Sequence, residues 1–421
     1  MTAVTTTTST TAAAAAAAAA MNSTSTLSNA FKYMCDMDKK SVLISNFEKR
    51  GWVPADPVDS PDDWQFYWAS VPTVRDLFSL DNKARRLQPN QMVNHFPTFY
   101  ELTRKDLMMR NLKRYKRDVE KELGTKLVDF IPTTFILPSD YNLFVEEFRK
   151  NPQSTWIVKP TGKSQGNGIF IIKRLAQLKK WHKEISAEHA TGGNKELFVI
   201  SRYIDNPLLI GGRKFDLRLY VLVTSFLPLR AFLYDEGFCR FCQTKYSTDA
   251  QELGNMLVHL TNVSIQKQGE EYNAYHGGKW SLKSLRLYLE GMRGKAVTDE
   301  LFESIKSLIV HSLKAVSSVM NSDRHCFECY GYDIIINEEL RPWLIEVNAS
   351  PSLSTTTTKD KELKENLIAD LLELLNPEGS DVRNSHVSLA DLRMGNFSLI
   401  YDEASDSSRT PSGGRKKIQN K

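Results

Sequence analysis

Three oxygen-bearing side chains mark a place where this sequence could do chemistry. Glu346 and Asn348 interrupt an apolar, strand-like run two residues apart, so on a strand they share one face. Asp333 comes from the preceding strand-like segment, and residues 337–340 are suited to join the two strands as a hairpin. Carboxylate and amide oxygens are ligands that Mg²⁺ accepts. The set predicts a magnesium site; the alternative is three polar residues on a solvated sheet face.

A second pattern, Lys214-x-Asp216-x-Arg218, predicts a strand with two cations and one carboxylate on the same face. Taken alone, the pattern is that of surface ion pairs. Facing a metal site, the two cations would instead bind phosphate groups.

A third pattern is a glycine-bearing loop that follows Lys159, the last residue of a predicted strand at 155–159. The loop ends at Gly168 and leads into another predicted strand at 168–173. Walker A loops and dinucleotide-binding fingerprints lead directly into a helix, so neither fits. A hairpin loop folding over phosphates fits this order better, with an ordinary tight turn as the alternative.

Composition limits the class of protein. The chain has 421 residues, 41% hydrophobic and 25% charged, which predicts two or three soluble domains. We find no apolar run of the roughly 20 residues that cross a bilayer, and the alanine tract after Thr11 lacks a basic leader, so we expect no membrane partner and no signal peptide. A net charge of +5 does not by itself predict a nucleic-acid partner.

Five cysteines in a chain of this length fit a reducing compartment, which predicts the cytoplasm. Four of them form two C-x-x-C pairs, Cys239/Cys242 and Cys326/Cys329, a spacing also found in zinc sites. Both pairs lie in segments that alternate like strands, where residues three apart point to opposite faces. We interpret them as buried free thiols, with structural zinc as the alternative.

The surrounding elements divide the chain into five segments. The predicted segments are a disordered Thr/Ala-rich tail at 1–30, an N-terminal domain at 40–135, a central domain at 136–209, a C-terminal domain at 210–377 and a largely flexible tail at 378–421. The central domain is predicted to open with a helix at 139–150, capped by Ser139 or Asp140, with Leu143, Phe144 and Phe148 as its apolar stripe.

A basic stretch lies in the N-terminal domain. Residues 104–117 carry seven Arg and Lys side chains, interleaved with apolar residues in a helical rhythm. A helix with a solvated basic face is one interpretation, and a docking surface for an acidic partner is the other.

In this order and spacing, the motifs resemble the ATP-grasp ligases, specifically the tubulin tyrosine ligase-like family, over roughly residues 40–377. The resemblance is carried by Lys159-Pro160, Gln165-Gly166-x-Gly168-Ile169, residues 212–218, His259-Leu-Thr-Asn262, Tyr330-Gly-x-Asp333 and Glu346-Val-Asn-x-x-Pro351. Residues 94–96, 100–105, 142–149 and 326–329 most resemble the catalytic subunit of the tubulin polyglutamylase complex.

The resemblance implies a mixed α/β (α+β) fold of the ATP-grasp type, in which antiparallel sheets grip ATP, with an additional N-terminal domain. The implied ATP-binding residues are Lys159, Gln165, Gly166, the hinge residues Ser201, Arg202, Tyr203 and Ile204, then Lys214, Asp216, Thr261 and Asn262. The implied ligands of two Mg²⁺ ions are Asp333, Glu346 and Asn348. The implied substrate-binding residues are Gln165, Arg240 and Lys279, the last two for free L-glutamate. The implied catalytic residues are Lys214, Arg218 and Glu346.

The resemblance also implies a reaction and partners. ATP would phosphorylate a glutamate side chain of an acidic tubulin tail, and free glutamate would attack the acyl phosphate. Implied partners are microtubules and non-catalytic subunits of a polyglutamylase complex, in the cytoplasm, the cytoskeleton and the basal body and axoneme of cilia. The alternatives are a glycine or tyrosine donor on the same scaffold, and a microtubule-binding protein without catalysis.

Overall fold

The structure is a computed structural model that describes residues 30–38, 41–56, 58, 60–79, 86–163, 165–181, 196–270, 273, 278–349, 351–379 and 394–407. Residues 1–29 of the predicted disordered tail at 1–30 lie outside these ranges, as does most of the segment after 379. No helix of the described part is long and apolar enough to cross a membrane.

The first part of the chain forms a small sheet of short parallel strands, in the order β2-β1-β3-β4. Its elements are β1 (Lys32–Cys35), α1 (Val42–Lys49), β2 (Val53–Pro54), β3 (Phe66–Trp68), α2 (Val71–Leu77) and β4 (Met92–Val93). The first strand of this sheet therefore lies before residue 40, the predicted start of the N-terminal domain. The sheet is tied to the rest of the molecule because the Val93 amide donates to the His325 carbonyl over 2.8 Å.

Two consecutive helices, α3 (Tyr100–Thr103) and α4 (Lys105–Leu123), follow. The second contains the predicted basic helix and ends at Gly124, whose φ of +66° suits a glycine because left-handed backbone is strained for other residues. Met108, Met109 and Leu112 of α4 are buried in the main core.

The central part is a four-stranded antiparallel sheet in the order β5-β8-β6-β7. Its elements are β5 (Thr134–Leu137), α5 (Tyr141–Lys150), β6 (Trp156–Pro160), β7 (Phe170–Ile172) and β8 (Phe198–Arg202). The prediction that Leu143 belongs to the apolar stripe of α5 was wrong, since its side chain is 58% exposed while Phe144 and Phe148 are buried. Asp140 does not cap the helix with its side chain; its carboxylate accepts from the Ile136 amide over 2.9 Å.

The last part holds a seven-stranded sheet whose main path runs β12-β11-β10-β13-β14. Its elements are β9 (Leu209–Ile210), β10 (Arg213–Phe226), β11 (Leu229–Phe241), α6 (Met256–His259), α7 (Val263–Gln266), β12 (Lys279–Ser281), α8 (Leu282–Arg293), α9 (Lys295–Ser317), β13 (Glu328–Ile336), β14 (Pro342–Asn348), α10 (Thr358–Leu375), β15 (Phe397–Asp402) and α11 (Glu403–Ser407). The prediction of a mixed α/β fold with antiparallel sheets is confirmed.

Strand alternation places a core on each face of this large sheet. On β10, Leu217, Leu219 and Val221 pack in the core that contains α4, α8 and α9. Tyr220 and Leu222 point the other way, into the core that contains α1 and α10. The face of Tyr220 continues toward the start of β10, where its residues become charged.

The C-terminal segment differs from its prediction as a largely flexible tail. β15 pairs antiparallel with β11, and Phe397 is buried against Tyr234 with ring centroids 4.8 Å apart. Asp402 also forms an ion pair with Arg230, with 3.2 Å between the charged atoms. Four of the six residues of this strand are aromatic or aliphatic, Phe397, Leu399, Ile400 and Tyr401, so the signal was a short apolar run that the prediction of a flexible tail passed over.

The four paired cysteines are buried free thiols, as interpreted from the alternation. Cys239 and Cys326 lie in one core and Cys329 in the other, so their environment is apolar packing. Burial raises the pKa of the Cys242 thiol to about 12, which keeps it protonated near neutral pH.

Candidate active site

A row of charged side chains crosses the large sheet where three strands lie side by side. Arg218 of β10 is the cross-strand partner of Asp333 of β13, which in turn is the partner of Glu346 of β14. Directly opposed residues on neighbouring strands point to the same face. That Asp333 and Glu346 come from the two strands of a hairpin was predicted from the alternation of the sequence, and the structure agrees.

Asp333 lies at the centre of a buried ion-pair network. The Arg218 guanidinium reaches its two oxygens at 2.6 and 3.1 Å, and the Arg240 guanidinium contacts it at 2.9 Å. Arg240 also binds Asp216, with Nε donating over 2.9 Å. Burial alone would raise the pKa of Asp333, but the two guanidinium groups hold the pKa well below its usual range. Asp333 is therefore a permanent anion at neutral pH.

Lys214, on the same face of β10, is fixed by two oxygen atoms. Its ammonium donates to the Tyr203 hydroxyl over 2.8 Å and to the His259 carbonyl over 2.9 Å, and it lies 4.4 Å from the centre of the Tyr203 ring. Burial lowers the pKa of Lys214 to about 8. Burial, followed by the charge of Lys214, lowers the pKa of His259 to about 4, so the imidazole is neutral.

Lys159 and the glycine loop after it form the opposite wall. Lys159 is the last residue but one of its strand, which runs one residue beyond the predicted end. Burial lowers the pKa of its amine to about 8, although Glu346 acts in the other direction. Gly166 has a φ of +84°, and a Cβ there would lie 2.5 Å from Cδ1 of Ile265. The loop is also anchored by the Ser264 hydroxyl, which donates to the Gln165 carbonyl over 2.9 Å. The positive φ favours glycine here, and the Cβ of any other residue would also displace the Ile265 side chain of α7.

These groups enclose a cleft of about 980 Å³, including its open mouth. Most of the predicted site residues line it: Lys159, Gln165, Gly166, Ser201, Arg202, Tyr203, Ile204, Lys214, Asp216, Arg240, Thr261, Asn262, Asp333 and Glu346. Within the described part of the chain, the lining of this cleft does not include Arg218, Lys279 or Asn348. Arg218 contacts Asp333 directly, and the Asn348 amide donates to the Gly331 carbonyl over 3.3 Å.

Lys279 lies one strand beyond Arg240, which is its cross-strand partner. Its ammonium is 3.1 Å from Asp360, 3.3 Å from the Thr356 hydroxyl and 4.5 Å from the centre of the Phe238 ring. The two predicted glutamate-binding cations are therefore neighbours, although only Arg240 reaches the cleft.

Lys364 is a buried cation that sequence reasoning missed. Its ammonium lies 3.2 Å from Asp360, so it shares this carboxylate with Lys279. Lys364 is on α10, which the sequence predicted only as a leucine-striped core helix. The available signal was a lysine directly after Leu363, on the side of the helix that the stripe predicts to be buried.

The position of Lys105 differs from the prediction for the basic helix. The sequence placed all seven cations of residues 104–117 in one basic stretch, but Lys105 points into the cleft and lies 3.2 Å from Glu346. The sequence indicated this inward position, because Lys105 lies three and four residues before the buried Met108 and Met109 and so shares their side of the helix. The exposed cations are Arg104, Arg110, Lys113 and Arg117.

The donor set at the sheet face fits Mg²⁺ chemically. Asp333 and Glu346 offer carboxylate oxygens from neighbouring strands, and Asn348 offers an amide oxygen two residues further on. The described residues contain no group of three or more His, Cys, Asp or Glu side chains placed to hold a metal. That is compatible with Mg²⁺, which is commonly held by one or two carboxylates together with substrate phosphates.

Comparison with known proteins gives consistent matches over most of the chain. A family model described as "Tubulin-tyrosine ligase family" matches residues 82–384. The chain is 49% identical over 393 residues to the probable alpha-tubulin polyglutamylase Ttll1 of Tetrahymena thermophila, covering 90% of this chain and 94% of that protein. It is 40% identical over 386 residues to the probable tubulin polyglutamylase TTLL9 of Mus musculus, covering 84% and 80%.

Proposed function

The chain belongs to the tubulin-tyrosine ligase family, and we propose that it is an ATP-dependent tubulin polyglutamylase, a ligase that adds glutamate to tubulin. The names of its relatives support the substrate, and the cleft supports the chemistry. One observation carries the catalytic assignment: Asp333 and Glu346, opposed on neighbouring strands, line the same cleft as Lys159 and Lys214. Arg218 holds Asp333 from outside the cleft lining.

The cleft suits a nucleotide triphosphate. Among the described residues that line it, Lys and Arg exceed Asp and Glu by three, an excess of positive charge that favours a polyanion. Lys159 and Lys214 are proposed to bind phosphates, and the glycine loop 165–168 to cover them. The hinge 201–204 and the pair Thr261 and Asn262 are proposed to complete the pocket.

We assign Mg²⁺, as two ions, to Asp333, Glu346 and Asn348. When bound, Mg²⁺ would offset negative charge on the transferring phosphoryl group. The protein's own part is placement: Arg218 and Arg240 fix the Asp333 carboxylate, and their positive charges lie close to the phosphoryl group.

The proposed reaction needs no protein nucleophile. The side-chain carboxylate of a tubulin glutamate takes the terminal phosphoryl group of ATP and releases ADP. The amine of free glutamate then attacks the acyl carbon, an amide bond forms, and phosphate leaves with loss of a proton from the amine. Most of the rate gain would come from holding three reactants in register within a closed cleft.

Arg240 and Lys279 are proposed to bind the incoming L-glutamate. The amino acid carries two carboxylates, which match two cations on neighbouring strands. Lys364 adds a third cation through the shared Asp360. Glycine and tyrosine each have a single carboxylate, so this cluster favours glutamate as the donor.

The exposed cations within residues 104–117 are proposed to bind the acidic tail of tubulin. Non-catalytic subunits are further proposed partners. Residence in the cytoplasm, on the cytoskeleton and in the basal body and axoneme of cilia is proposed on the same grounds, since polymerised tubulin is the substrate.

The test is incorporation of labelled amino acids into tubulin by the chain purified with its bound subunits. We expect glutamate to be incorporated in an ATP-dependent manner, with glycine and tyrosine at background. Incorporation of glycine or tyrosine alone would overturn the donor, and microtubule binding without any incorporation would favour the non-catalytic alternative.

A further inference from the structure

Lys105 is a cleft residue that the assignments above leave without a role. We infer that its ammonium binds the acceptor carboxylate, the glutamate side chain of the acidic peptide that receives the phosphoryl group. The inference rests on the proposed function and deepens it, because it separates the binding of the protein substrate from the binding of ATP and of the free amino acid.

Position is the first argument. Lys105 is the first residue of α4 and lines the cleft together with Lys159 and Glu346. Its side chain is 15% exposed, so the ammonium is neither free in solvent nor locked in the core. It comes from the N-terminal part of the chain and reaches Glu346 of β14 within the cleft.

The commitments of the neighbouring cations are the second argument. Arg218 is held by Asp333 and does not line the cleft, Arg240 is proposed to bind free glutamate, and Lys214 is proposed to bind phosphate. Lys105 forms an ion pair with Glu346, and the two charged atoms are 3.2 Å apart. Glu346 is a proposed metal ligand, so its negative charge would be taken up when the site is loaded. Lys105 would then be a partly buried cation next to the phosphoryl group, free to bind an incoming anion.

The identity of that anion follows from the helix. Arg110 and Lys113 are exposed on the same helix, at about 7.5 and 12 Å from Lys105 along the helix axis at ~1.5 Å per residue. An extended peptide advances about 3.3–3.6 Å per residue, so a run of glutamates that contacts Lys113 can place one carboxylate at Lys105, about 80° away around the helix at ~100° per residue. Arg110 is about 140° from Lys105 by the same measure, so it lies on another face. Free glutamate and ATP have no chain that could follow the helix.

The test compares Lys105→Gln with Lys121→Gln, a matched control at an exposed position near the end of the same helix. We expect Lys105→Gln to raise KM for an acidic tubulin-tail peptide by about ten- to hundredfold, since a hydrogen bond to a charged group is lost. KM for ATP and for glutamate would change by less than about twofold. Lys105→Arg would restore part of the peptide affinity, and the control would behave as the original chain.

A second readout separates this role from a structural one. Removing the cation that competes for Glu346 would tighten binding of Mn²⁺ to the nucleotide-free protein, by about two- to fivefold for a pair of this exposure. A residue needed only for folding would give weaker Mn²⁺ binding and a lower melting temperature.

Three outcomes would overturn the inference: an unchanged peptide KM, a rise in the ATP KM in its place, or equal effects of Lys105→Gln and Lys121→Gln. Absence of glutamate incorporation by the original chain would instead count against the proposed function.

Discussion

Binding of ATP to this protein is predicted to take up protons near pH 8. The amines of Lys159 and Lys214 have pKa values of about 8 in the ligand-free protein, mainly because burial disfavours their charged form. Each is therefore about half charged at pH 8. Phosphate groups placed beside them favour the charged form and raise both pKa values, so protons must bind together with the nucleotide.

The magnitude follows from the two pKa values. If both return to the ordinary value of 10.5, each lysine takes up about half a proton at pH 8, about one proton in total. Affinity then falls by roughly tenfold per lysine between pH 7 and pH 9, up to about 100-fold for the pair. His259 adds nothing in this range, since its lowered pKa of about 4 leaves it neutral throughout.

The assay is isothermal titration calorimetry with Mg-ATP at pH 8, in buffers that differ in ionisation enthalpy. The slope of the measured heat against that enthalpy gives the number of protons taken up. Lys159→Met should remove about half of the uptake. A slope of zero, or proton release, would refute the reasoning that both lysines are partly neutral cleft residues that bind phosphate.

Three further predictions follow from the same geometry. Gly166→Ala should raise KM for ATP by roughly ten- to hundredfold in steady-state assays, because the added Cβ pushes the loop off α7; an unchanged KM would remove the loop from the site. Asp333→Asn should lower the free energy of unfolding by about 3–5 kcal/mol in urea titrations, because two buried guanidinium groups lose a partner. Glu346→Gln should lower it by less than about 1 kcal/mol yet abolish ligation. Equal losses of stability in the two variants would contradict this contrast. Lys113→Glu with Arg117→Glu should weaken microtubule co-sedimentation by about tenfold at low salt and less at high salt; salt-independent binding would exclude α4 as the docking surface.

Strand alternation explains why much of the site could be predicted from the sequence. A period of two fixes which side chains share a face, so Lys214, Asp216 and Arg218 were grouped correctly without knowledge of the fold. The hairpin between β13 and β14 is local and was predictable, but the register shift between Asp333 and Ile334 that brings Asp333 opposite Glu346 was not.

Contacts between distant segments were beyond the same reasoning. Lys105 reaches Glu346 across more than two hundred residues, and Lys364, which pairs with Asp360 locally within α10, meets a second cation there only because distant β12 brings Lys279 to the same carboxylate. Both lysines lie on amphipathic helices, where periodicity predicts a buried face but not the polar groups that meet it. Leu143 shows the reverse case, in which an apolar residue next to a true stripe is exposed.

The most direct measurement of the central claim is mass spectrometry of tubulin tails after incubation with ATP, glutamate and the chain purified with its bound subunits. The proposed function predicts mass additions of whole glutamate residues, linked through glutamate side chains of the tail. The Glu346→Gln protein, purified in the same way, should give none. Unmodified tails with the original chain, or equal modification by the Glu346→Gln protein, would contradict the account.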